Sequence, residues 1–365
     1  MPEGTGVVDL MIGFPMRDKK AVYRNLLRGI HDEETKQDFE FPVEYMFKGV
    51  PDEAESESDP IDTSFAEMDK YGVEIGLFGL SPDAIEAKKR YPDRVFFSLE
   101  VDPNDVMATV RKIREAKAEH DLTAVTMFPA GCFPQVPVDD PKMYPVYSTC
   151  VELDIPAIVN AGIAGPRFPS ACQHVERFDI VCYDFPELRI VMRHGAEPWE
   201  ALAVKLMLKW PGLYYMPSAF APKYYPKAII DYANSRGADK IMYAGYYPMG
   251  LSLERIFTEL PNVPLKDEVF PKFLRENAIR VFKLDRCAAD EPAWCGAGWR
   301  GSLQARSRGV GWSRSSGSPF SSPSSSRSRP RSRPSGTRSR FRARTRSRRS
   351  ASCTRPFRRK RNRRH

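Results

Sequence analysis

Residues 188–209 read LRIVMRHGAEPWEALAVKLMLK, and two hydrophobic periods meet within them. Leu188 to His194 is a short run rich in branched apolar residues, as expected of a strand buried on both faces. After Gly195, Ala196 and Glu197, the apolar residues Trp199, Leu202 and Leu206 recur at i, i+3 and i+7, one face of a helix over Pro198–Lys209. Strand, tight connection and helix make one βα unit. The chain repeats that unit.

Seven more strand-like runs lie at Val7–Pro15, Glu74–Leu80, Val95–Val101, Leu122–Phe128, Pro156–Ala161, Leu213–Ser218 and Lys240–Tyr246. Between them fall helical patterns, the clearest over Asp105–His120. Eight strands, most followed by a helix, predict an α/β fold of the (β/α)8 TIM-barrel type over residues 1–285. A doubly wound parallel sheet is the alternative. Residues 17–63 are too long for one connection and carry an acidic stretch from Asp52 to Asp59, so they read as an insertion after the first strand, a lid or oligomer contact.

The overall charge of +9 on 365 residues sums two unlike pieces. Residues 286–365 hold 23 Lys and Arg against two acids, and residues 1–285 hold 33 against 45. An acidic body therefore carries a basic tail, which excludes reading the whole chain as a nucleic-acid-binding protein. The tail is rich in Arg, Ser and Pro and has no Ile, Tyr or Met, the composition of a low-complexity, disordered segment. Two readings of it stay open. Its Arg-Ser runs would bind nucleic acid through phosphates, or it is a non-native extension read out of frame from GC-rich codons.

No stretch has the roughly 18–20 consecutive apolar residues of a membrane span, and the first residues lack the pattern of a signal peptide. The body's four cysteines, Cys132, Cys150, Cys172 and Cys182, form no CxxC pair. These features predict a cytoplasmic protein with reduced thiols and no membrane contact, acting on a small molecule and able to form a homo-oligomer.

Barrel active sites lie where the strands end. By period-two alternation Asn160 shares a face with Ile158, His194 with Met192 and Ile190, and Tyr246 with Ala244 and Met242. Those apolar companions suit a barrel interior, so the three polar residues are expected to point inward at its top. The same count turns Arg193 outward, toward a structural ion pair.

The runs Arg193–Trp199, Met216–Ala219, Asp239–Pro248 and Phe273–Phe282 resemble the amidohydrolase-related family, over residues 7–284. The family includes barrels of the aminocarboxymuconate semialdehyde decarboxylase type and other metal-dependent hydrolases. The resemblance implies a His-x-His after strand one, a His ending strand five and an Asp ending strand eight as metal ligands. Here those places read Met11-Ile12-Gly13, Asn160 and Tyr246, so no zinc or other divalent cofactor is expected. His194 stands at the family's strand-six histidine.

The expected function is that of a hydrolase or decarboxylase acting on a small carboxylate or carbonyl compound. His194 would move the proton, with Tyr246 and Asn160 donating to a developing oxyanion. Arg167, in the loop after strand five, would clamp a carboxylate, with Glu197, Trp199 and Asp9 as further substrate contacts. Asp9 also suits a structural hydrogen-bonding role. Cys132 is a weak candidate nucleophile for want of a basic neighbour. The alternative is a catalytically silent barrel that binds a ligand or serves as a partner subunit.

Overall fold

A computed structural model describes residues 4–16, 18, 21, 23–37, 43–46 and 58–284; the basic tail and most of the acidic stretch lie outside them. Seven parallel strands form one sheet in chain order: β1 Val7–Asp9, β2 Val73–Gly79, β3 Val95–Glu100, β4 Ala124–Met127, β5 Ala157–Asn160, β6 Ile190–Arg193 and β7 Leu213–Met216. Sequential parallel pairing requires a crossover between neighbours, and helices supply it. In chain order these helices are α1 Glu33–Gln37, α2 Pro60–Lys70, α3 Pro82–Arg90, α4 Val106–His120, α5 Tyr144–Glu152, α6 Phe178–Asp184, α7 Glu200–Lys209, α8 Lys227–Ala233, α9 Leu253–Glu259 and α10 Asn277–Phe282. Their starts follow local chemistry. Asp59, Ser81 and Asp105 each cap a helix by accepting from a backbone N–H of its first turn.

Alternation sorts the strand residues into two apolar layers. Val7, Phe97, Val125, Val159, Met192 and Tyr215 pack outward beneath the helices. Val8, Leu77, Phe96, Ala124, Ile158, Val191, Tyr214, Met216, Met242 and Ala244 form the interior, together with Ala278, Val281 and Phe282 of α10. The interior is a packed core, as in other TIM barrels. No helix among the described residues is long and apolar enough to cross a membrane.

The expected eighth strand over Lys240–Tyr246 is not a regular strand. It makes one parallel bridge to β7 (Tyr215 with Ile241), and Tyr247 makes another to Ile12 after β1. Its backbone groups find other partners. Tyr215 N–H donates to Lys240 O at 3.0 Å, and Met242 N–H donates to Tyr215 O at 3.0 Å. Tyr243 N–H then turns to Phe273 O, and Asn277 Nδ2 donates to Ile241 O. Gly245 N–H donates to the Asp9 carboxylate at 2.8 Å, which also accepts from Met11 N–H at 2.9 Å. A side chain and the C-terminal helical segment thus stand in for a ladder.

Asp9 lies on the face opposite Val8 and so does not point into the barrel. It is fully buried, and burial raises its carboxyl to about 6 against the two backbone donors that favour its charge. Oδ2 and the Tyr243 hydroxyl lie on the same side of Gly245 without a hydrogen bond of normal geometry. A Cβ on Gly245 would sit 2.5 Å from Oδ2, so the close approach requires glycine.

Asp9→Ala strands two buried N–H groups and is expected to lower unfolding free energy by about 2–4 kcal/mol, whereas Asp9→Asn keeps the acceptor and costs less. The raised carboxyl favours the folded state on the acid side, and that stability is lost as pH rises from about 4 to about 6. Asp9→Asn removes that loss, about 1.4 kcal/mol per pH unit at full strength. Urea unfolding of both variants at pH 4 and pH 7 checks this.

Candidate functional site

β5 and β6 run in register, pairing Asn160 with Arg193 as their last residues. Both side chains turn inward. Arg193 Nε donates to Asn160 Oδ1 at 2.7 Å, and Arg193 is 7% exposed. The outward orientation expected for Arg193 is therefore wrong. The interior residue of β6 is Val191, so its alternation partner Arg193 faces inward and Met192 outward. Desolvation of the guanidinium lowers its pKa, opposed by the through-space charges of Glu100 and Tyr246.

His194 reaches the same region by another route than strand alternation. It has φ 68°, followed by Gly195 at 90° and Ala196 at 60°, so three consecutive residues take left-handed backbone. Such backbone persists where surrounding contacts over-determine it. The Tyr215 hydroxyl donates to Gly195 O at 2.9 Å, and a Cβ on Gly195 would strike the Phe220 ring at 2.5 Å. The turn sets His194 Nδ1 3.0 Å from Ser218 Oγ and 3.3 Å from Ser218 O, and places its ring edge-on to Tyr246, centroids 5.7 Å apart. A carbonyl can only accept, so the second contact calls for a proton on Nδ1 and leaves Nε2 as an acceptor.

Burial, then the charge of Arg193, pushes His194 down to about 3 against the Ser218 carbonyl contact, so the imidazole is neutral near pH 7. Burial, then the through-space charge of Glu100, lifts Tyr246 to about 12 against Arg193, which keeps its phenol a donor. The arrangement offers a neutral acceptor, a phenol and a buried cation side by side. It suits a reacting atom that gains negative charge.

The other predicted residues stand apart from this cluster. Arg167 pairs with Asp32 at 2.7 Å and Glu34 at 3.3 Å and lies over the Tyr45 ring, all three in the 17–63 segment. Glu197 is half-buried, which raises its carboxyl, and its backbone carbonyl accepts from Ile163 N–H at 2.8 Å. Trp199 packs on His174, ring centroids 3.9 Å apart. Asp9 touches the backbone of Gly245 on the outer side. Cys132 is buried, its thiol pushed far up by desolvation.

Sequence reasoning missed Arg193, Ser218, Glu100 and Tyr23. Counting alternation from the apolar interior residue Val191, rather than from His194, would have turned Arg193 inward. The Gly after His194 signalled that the strand had ended. Tyr23 belongs to the insertion, and burial together with the nearby Tyr246 and Glu100 raises its pKa, which sets it at the barrel mouth. The turn Arg24–Gly29 that follows packs beside Phe128, Phe133 and Phe168 from the loops after β4 and β5.

Because the folded protein keeps His194 neutral while the unfolded chain takes up the proton, stability falls as pH drops from about 6.5 toward 3, by up to about 1.4 kcal/mol per pH unit. His194→Gln is expected to flatten that acid loss in thermal melts. Arg167→Ala is expected to free the insertion, with faster tryptic cleavage after Lys36.

The sequence model of the amidohydrolase family matches residues 33–284. No curated protein matches the chain. Among solved structures, an uncharacterised TIM-barrel protein from Bordetella bronchiseptica is 23% identical, with a TM-score of 0.63, covering 76% of this chain and 99% of its own. A 5-carboxyvanillate decarboxylase from Novosphingobium aromaticivorans, complexed with manganese and 4-hydroxy-3-methoxy-5-nitrobenzoic acid, is 16% identical, with a TM-score of 0.56, covering 77% and 96%. A 2,6-dihydroxybenzoate decarboxylase from Rhizobium is 15% identical, with a TM-score of 0.53, covering 77% and 99%. At these identities the likeness shows the fold, which agrees with the sheet and its interior. By its match over residues 33–284, this chain belongs to the amidohydrolase family.

Proposed function

We propose that this barrel is an enzyme acting on a small carboxylate or carbonyl compound, as a hydrolase or decarboxylase. The observation that carries the reading is the neutral His194, held by Ser218 beside Tyr246 and Arg193 at the C-terminal ends of the strands.

The family implies a divalent metal, and the residues here do not fit one. Gly13 has no donor, Met11 offers a soft thioether, and the Asn160 oxygen already accepts from a guanidinium at 2.7 Å. A divalent cation at that oxygen would stand against the Arg193 charge. Among the described residues no group of three His, Cys, Asp or Glu side chains could hold a metal. The chemistry is therefore derived from the side chains alone.

In hydrolysis, Nε2 of His194 takes a proton from the attacking water while Nδ1–H holds the ring on Ser218. The oxyanion that develops meets the Tyr246 phenol and the Arg193 charge. A bound anion also offsets the Arg193 field that depresses His194, which raises its basicity once substrate arrives. In decarboxylation Nε2 of the same imidazole first takes up a proton from water and then passes it to carbon as carbon dioxide leaves, which returns the ring to its neutral form.

Turnover in a panel of small carboxylates and esters tests the reading. With a substrate in hand, His194→Ala is expected to lower kcat by roughly 10²–10⁴-fold, the usual weight of a positioned acid–base group. Unchanged kcat in that variant would remove His194 from the mechanism. Binding without turnover across the panel would favour the silent, ligand-binding barrel.

A further inference from the structure

Arg193 has the features of a ligand-binding group with no ligand of its own in the fold. It is 7% exposed, yet Nε is the one guanidinium nitrogen that finds a hydrogen-bond partner among the described residues. Its terminal amino groups do not figure among the sealed, unpartnered polar atoms, which are Asp9 Oδ2 and the Tyr243 hydroxyl. They are therefore not sealed from solvent. A guanidinium largely withdrawn from water, with amino groups that no protein atom satisfies, is left to be satisfied by water or by a ligand's oxygen atoms.

The partners available in the fold fall short. Glu100, ending β3, acts on Arg193 through space, but no ion pair joins the two, and Glu100 is itself exposed. The Nε bond to Asn160 fixes the plane of the guanidinium and leaves its two-pronged edge unused. That edge matches a carboxylate. Around it stand the Tyr246 phenol and the neutral His194, with apolar Ile158, Val191 and Met216 of the interior layer below.

We infer that Arg193 is the carboxylate-binding group of this site, a fixed cation that receives a small monocarboxylate through its terminal amino groups, without a divalent metal. The inference rests on the reading of this mouth as a ligand site and assigns its substrate class. Asn160 is then a positioning residue that orients the guanidinium. Tyr246 supplies a further donor to the bound anion, and Arg167, already paired with Asp32 and Glu34, is not the clamp.

The test is calorimetric titration of the full chain after EDTA treatment, with benzoate, acetate and formate as probes and benzamide as the uncharged control. At least one carboxylate is expected to bind ten or more times more tightly than benzamide, with affinity unchanged on adding Mn²⁺ or Zn²⁺. Arg193→Gln is expected to lose more than tenfold in that affinity, and Arg193→Lys to recover part of it. The tail's arginines are common to all these proteins, so the difference reports Arg193.

Glu100→Gln alters an exposed residue and tests the same assignment without disturbing the core. Removing its opposing charge is expected to tighten carboxylate binding severalfold. The inference is overturned if no probe outbinds benzamide, if binding requires the metal, if Arg193→Gln binds as well as the parent, or if Glu100→Gln weakens binding. Failure to find turnover would not produce any of these results. Turnover unaffected by Arg193→Gln would overturn the inference while leaving the enzyme reading in place.

Discussion

The barrel depends on how its last segment satisfies its backbone without a full ladder. Residues 240–247 cross from β7 to the chain after β1, and single bridges hold them at either side. Every unpaired N–H there would cost free energy comparable to a lost hydrogen bond, so substitutes are required. The Asp9 carboxylate supplies the decisive one, joining Met11 N–H of the first unit to Gly245 N–H of the last. Phe273 and Asn277 supply others from the C-terminal helical region. Burying that carboxylate is expensive, as its raised pKa records, and two backbone donors compensate it in part. Closure in turn places Tyr246, one residue beyond Gly245, edge-on to His194.

The mouth follows from that closure and from the end of β6. A strand would carry His194 outward beside Met192. The left-handed turn at residues 194–196 instead turns it toward Ser218 and Tyr246 while the preceding Arg193 stays inside. Adjacent residues thereby lie together, a cation beside an imidazole whose proton affinity burial, and then that cation, suppresses. The guanidinium is held there by its bond to Asn160.

Described residues of the segment after β1 reach the same end of the barrel. Tyr23 is drawn into the field of Tyr246 and Glu100, and the turn after it packs on aromatic residues of the loops following β4 and β5. Arg167 ties that loop after β5 to Asp32 and Glu34. Arg167, which read as a substrate clamp, is paired within the protein, with acids from a segment more than a hundred positions away.

What the amino-acid order determined was the strand–helix alternation, the apolar layering and seven of eight strand positions, since these arise from side-chain periods within a few residues. It also determined the family, through local runs such as Arg193–Trp199. Only the tertiary structure decided which polar residues meet. The inward turn of Arg193, the Ser218 contact of His194, the outward face of Asp9 and the pairing of Arg167 all depend on where a strand ends and on partners distant in sequence. Alternation predicts direction while backbone stays extended; it fails at the first left-handed residue, and barrel strands end where the chemistry is.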